Sequence, residues 1–229
     1  GVRAAMRVPV HARATDDGFE LILSSDSGPL VVRVDSDLAI IERRSLTSAA
    51  PPWVWAATGG GHVAWADRRA GDEDRILLQL AGAEPVVVAR EENATLSYFG
   101  TPLVETSDGR PLLAVSTLEE ARLVRVVDAI EVTSLGTAFP RHPVLGLSER
   151  GVVVVAAGGP AGSGGLPTAL AMARLATEDA APGAWEVLEE LPTSCQIEKY
   201  FVSSAPTSDA VAWIESCGFR RSAMRICAR

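Results

Sequence analysis

The sequence predicts an all-β protein: a five-bladed β-propeller of four-stranded antiparallel blades, closed by the N-terminal strand, in a single domain over residues 1–229. Three observations carry this. Runs of five to eight residues rich in β-branched or aromatic side chains alternate with turn formers along the whole chain, which is the pattern of short strands joined by hairpins. Nineteen such runs occur, too many for a sandwich of about seven to nine strands. The runs also recur in fours. The second runs centre near Ile22, Ala64, Ala114, Val154 and Ala212, a mean spacing of 47.5 residues, and propeller blades repeat at about 40 to 50 residues.

Taken in order, the first repeat is VPVHARA, FELILSS, PLVVRVD and LAIIERR, with Asp16-Asp17-Gly18 and Asp26-Ser27-Gly28-Pro29 as turns. The second is an aromatic run holding Trp53 and Trp55, then HVAWADRR, RILLQL and VVVAR, separated by Gly59-Gly60-Gly61 and by the turns AGDED and AGAEP. TPLVET, RPLLAVS, ARLVRVV and IEVTSL make the third. The fourth is HPVLGLS, GVVVVAA, TALAMARL and AWEVLEEL, with GGPAGSGGLP as a long, flexible hairpin connection. YFVSSA, AVAWIES and SAMRICA form the fifth, which stops one strand short. Val2 to Met6 is expected to supply that strand, because pairing there removes an open sheet edge. The closest internal match is Val63-Ala64-Trp65 against Val211-Ala212-Trp213.

Two stretches carry a family resemblance. Trp65, Asp67, Arg69, Gly71 and Asp74 resemble the Trp-x-Asp-x-Arg-x-Gly-x-x-Asp pattern of bacterial β-propeller repeats. Ser24 to Val31 is similar to the Asp-box of sialidase-like propellers, with Val31 where the aromatic belongs. Both fall at the turn between second and third strands, where an Asp side chain caps backbone amides. The resemblance implies blades and names no reaction.

Composition narrows the function classes. The formal net charge is -8, which argues against nucleic acid as a partner, since phosphate neutralisation needs clustered basic side chains. No apolar run approaches the roughly 20 residues of a bilayer span, so no membrane insertion is expected. Basic charge rests on Arg with the single Lys199, and with abundant Ala and Gly this suggests a GC-rich bacterial source. Neither a cofactor nor a metal site is expected. His11 and His142 fall on innermost strands without a third ligand in reach, and the acidic turn Asp67, Asp72, Glu73 and Asp74 reads as a solvated turn before it reads as a calcium loop.

Glycoside cleavage needs a pair of carboxylates. The sialidase-like resemblance raises that possibility, yet the predicted innermost strands offer only Glu105. The first expectation is therefore a non-enzymatic module, monomeric, binding a glycan, peptide or protein partner. The alternative is a carbohydrate-active hydrolase of sialidase or arabinanase type. Aromatic residues at the entrances of first strands, Trp53, Trp55, Tyr98 and Tyr200, are candidate ligand contacts, each with a plainer reading as a wedge between blades. His11, Glu105, Arg141 and His142 complete the candidate set, and no catalytic residue is assigned.

The three cysteines, Cys195, Cys217 and Cys227, all lie in the last 35 residues. With the turn between the first two strands of the last repeat near Thr207, Cys195 and Cys217 stand nearly opposite one another across an antiparallel pair. A disulfide is expected there, with Cys217–Cys227 as the competing pair and Cys227 otherwise a buried thiol. Such a bridge places the protein outside the reducing cytoplasm, secreted or periplasmic, with any signal peptide removed upstream.

Overall fold

The computed structural model describes residues 11–15, 17–25, 28–45, 56–59, 61–67, 74–97, 99–161, 165–175, 182–205, 208–218 and 222–228. The chain divides into two compact units, Gly1–Leu96 and Ser97–Arg229. In the first unit, β1 (His11–Thr15), β2 (Gly18–Ser25), β3 (Gly28–Asp35) and β4 (Ile40–Ser45) form one antiparallel sheet in sequence order. β5 (Ala56–Gly59), β6 (His62–Asp67), β7 (Arg75–Gln79) and β8 (Val86–Arg90) form another. Ile22 and Val31 of the first sheet pack with Val63, Trp65 and Leu77 of the second.

The second unit holds three sheets. They are β9 (Leu103–Glu105), β10 (Pro111–Ser116), β11 (Ala121–Val126) and β12 (Ile130–Gly136); then β13 (Arg141–Ser148), β14 (Gly151–Ala161), β15 (Pro167–Leu175) and β16 (Glu186–Glu190); then β17 (Cys195–Ala205), β18 (Ser208–Cys217) and β19 (Ser222–Ala228). The five meandering sheets, one per sequence repeat, fit the five blades of a propeller. Val2 to Met6 and the closure expected of it lie outside the described residues, as do Trp53 and Trp55.

Why the second strands read as apolar runs rather than alternating ones follows from how the sheets stack. Side chains of a strand point alternately to its two faces, and the sheet holding β14 is covered on both. Val152 and Val154 pack with Leu112, Ala114 and Leu123 of the preceding sheet. Val153 and Val155 pack with Ile197, Tyr200, Val211 and Trp213 of the following one. Each such valine contributes about 1.5–3 kcal/mol on burial. The last strand of each four-stranded sheet in this unit, by contrast, is mostly exposed, which suits the polar residues of β12 and β16. The repeated VAW triplet places Trp65 and Trp213, 0% and 5% exposed, at matching points of their sheets.

Two boundaries differ from the sequence reading. GGPAGSGGLP is not wholly a flexible connection, because β14 continues through Gly158, Gly159 and Pro160 to Ala161. A Cβ on Gly158 would come within 2.3 Å of the Ala138 carbonyl oxygen, so a glycine is needed for this close approach. The first strand of the last repeat begins at Cys195 rather than Tyr200, which brings Glu198 onto a first strand and corrects the count of a single inner-strand carboxylate. Cys227 lies on β19 but is only half-buried, that strand having a neighbour on one side alone among the described residues.

Candidate functional site

Within the second unit the first strands of the three sheets lie side by side, and their beginnings gather the most unusual chemistry. Tyr200, fully buried, reaches from β17 to β13, where its hydroxyl is shared between the carbonyl oxygens of Arg141 at 3.0 Å and His142 at 2.5 Å. The Phe99 ring lies 4.7 Å from the His142 ring and 5.1 Å, edge-on, from that of Tyr200. Thr101 accepts a hydrogen bond from the Leu145 amide at 2.8 Å, which fixes the chain entering β9 against β13. Arg141 turns its guanidinium to the Gly165 carbonyl at 3.3 Å.

His142 sits in the left-handed region, with φ of 51°, a conformation that costs a non-glycine residue energy and persists only where its surroundings enforce it. Here the Tyr200 hydroxyl holds its carbonyl. Burial, with the positive charge of Arg141 beside it, pushes the His142 pKa from 6.5 down to about 4, so its imidazole is neutral at neutral pH. The sign of the linkage follows. Between pH 6.5 and about 4 the unfolded chain takes up a proton that the folded chain refuses, so folding stability falls as pH falls through that window and levels off below it. Urea midpoints measured from pH 7 to pH 4 should therefore drop less in His142→Asn, asparagine being tolerant of positive φ. Parallel curves for the two proteins would refute this assignment.

Of the other sequence candidates, Glu105 ends β9, paired with Pro111 and half-buried. Gly100 marks the height of Val144 and Tyr200, whose atoms come within 3.1 and 3.5 Å of its missing Cβ. Glu105 lies five residues beyond that height and Glu198 two before it. At about 3.3 Å per residue they stand on the order of 20 Å apart along the strands, whereas a glycosidase pair works at about 5 to 10 Å. The structure thus does not bring these two carboxylates together. Nor is Tyr200 a ring offered to a ligand, because it is fully buried and its hydroxyl is engaged with backbone. His11 lies on β1, while Tyr98 falls outside the described residues together with Trp53 and Trp55.

Glu198 was missed because the register breaks at it. Ile197 pairs with Glu215 and Lys199 with Ile214, leaving Glu198 without an opposite residue. Such a β-bulge spoils the alternation by which a strand is recognised. The neighbouring Glu215 is buried and engaged, its Oε1 accepting the Trp213 indole N–H at 3.0 Å and the Arg225 guanidinium at 3.2 Å. At the entry to the same strand, Cys195 and Cys217 are register partners with Cα atoms 4.1 Å apart, and they form the expected disulfide.

By sequence, the chain matches no protein-family model and no curated protein. By structure, it is similar to the GH43_1 enzyme from Xanthomonas citri complexed with xylotriose, at 10% identity and a TM-score of 0.50, over 100% of this chain and 88% of that one. The same enzyme complexed with xylose aligns over 98% of this chain, also at 10% identity and 0.50. An exo-1,5-alpha-L-arabinanase from a bovine ruminal metagenomic library aligns over 100% of this chain and 95% of that one at 12% identity, with a TM-score of 0.49. At these identities the likeness establishes the fold, a five-bladed propeller. It also corrects the first functional expectation, a non-enzymatic module: the neighbours are glycoside hydrolases, the class the sequence placed second.

Proposed function

We propose that the protein is a carbohydrate-active hydrolase of the arabinanase-like propeller type, acting on glycans built from neutral pentoses. The observation that supports this is the extent of the likeness to the Xanthomonas citri enzyme: the alignment takes in 98 to 100% of this chain, and the crystals of that enzyme hold xylose and xylotriose. The disulfide between Cys195 and Cys217 supports an extracytoplasmic site of action, where a bacterial enzyme meets polymeric glycans. Incubation of the purified protein with 4-nitrophenyl xyloside and arabinofuranoside, xylotriose, xylan and arabinan is the test. Release of nitrophenol or of reducing sugar from at least one of them is expected. No turnover on any would overturn the proposal.

A further inference from the structure

Glu198 and His142 occupy two breaks in the strand ladders that fall at the same height on adjacent first strands. On β13 the pairing with β14 jumps from Arg141 to Val144, passing over His142 and Pro143, the latter with no N–H to give the ladder. On β17 the pairing with β18 jumps from Ile197 to Lys199, passing over Glu198. Three contacts set the relative height of the strands. A Cβ on Gly146 would meet Val202 and Ser204, Val144 and Tyr200 both adjoin Gly100, and the Tyr200 hydroxyl closes on the His142 carbonyl. Stepping two residues back from Val144 and from Tyr200 arrives at His142 and Glu198.

A bulge lifts its residue out of the ladder and re-aims the side chain, and backbone strain of the kind seen at His142 collects where a site needs it. Two bulges thus fall at one height on adjacent first strands, and at one of them His142 is strained and clamped by a buried tyrosine. We infer that Glu198 and His142 together form a subsite for the hydroxyl groups of a neutral sugar, with the carboxylate of Glu198 accepting from adjacent hydroxyls and the imidazole of His142 taking another. This rests on the hydrolase reading for its choice of ligand. The chemistry fits because a carboxylate offers two acceptor oxygens, while a neutral imidazole both donates and accepts. Glu105, at the other end of the strands, has no part in it.

Titration calorimetry with xylotriose on the wild type, Glu198→Ala, Glu198→Gln and Glu105→Gln tests the subsite separately from hydrolysis. Loss of hydrogen bonds to a charged acceptor is expected to weaken binding about tenfold or more in both Glu198 variants. Glu105→Gln should bind as the wild type does. Unchanged thermal midpoints in the Glu198 variants would confirm that the loss is local. Wild-type affinity in Glu198→Ala overturns the subsite and leaves the hydrolase reading standing. Binding that depends on Glu198 in a protein that cleaves no glycan upholds the subsite and removes the hydrolase reading. A wild type that neither binds nor cleaves xylotriose overturns the subsite as stated.

Discussion

Replacing Asp209 with alanine is expected to destabilise the protein by about 3 kcal/mol, because it strands a charge inside the second unit. The Asp209 side chain is 0% exposed, and its Oδ2 receives Nη1 of Arg174, itself 29% exposed. The pair joins β15 to β18, so it ties two sheets together. Without the carboxylate, a largely buried guanidinium loses its counter-charge, and its partial access to water holds the cost to the lower end of the range for broken buried pairs. For a chain of this size the thermal midpoint should fall by roughly 6–12 °C. The contrast is the double variant Arg174→Met with Asp209→Leu, which removes both charges and is expected to lie near the wild type. If Asp209→Ala melts within a degree or two of the wild type, the pair contributes nothing and the argument fails.

The second large effect is that of the Cys195–Cys217 bridge. With a sequence separation of 22, its removal by Cys195→Ala with Cys217→Ala should cost about 3 kcal/mol, mostly by freeing the unfolded chain. The bridge closes the far end of the β17–β18 hairpin from its turn, so the variant should lose hydrogen-exchange protection first around Cys195 to Ile197. Thiol titration of the denatured, unreduced wild type should find one reactive group, Cys227. Three would mean that the cysteines stay reduced, and the extracytoplasmic reading would go with the bridge.

Most of the fold could be read from the sequence because a propeller writes itself locally. Each strand pairs with its neighbour in sequence, so turn residues such as Ser107-Asp108-Gly109 and runs such as Val152 to Val155 state the meander without any long-range information. The disulfide was legible for the same reason, since its partners were set by counting back from one hairpin turn. What escaped was whatever depends on irregularity. The bulge at Glu198 hid the first half of β17, and the close approach at Gly158 made strand out of a stretch whose glycines suggest a loop. His142 was singled out as one residue of an inner strand, but its conformation and its clamp by Tyr200 come from tertiary contacts. Absence of a carboxylate pair on the inner strands weighed against hydrolysis, and Glu198, which the bulge concealed, does not complete one with Glu105, from which it stands on the order of 20 Å along the strands.

Gly146 faces Ser204 and Val202 so closely that it cannot be enlarged alone. A methyl group at 146 would lie 2.3 Å from the Ser204 Oγ and 2.9 Å from a Val202 methyl, so β13 and β17 share a single allotment of volume at this height. In related chains the sites should trade size: alanine or serine at 146 with glycine at 204 and a smaller residue than valine at 202, and bulky residues at both 146 and 204 in none. Such a paired exchange would be the historical trace of two blades that repacked without separating.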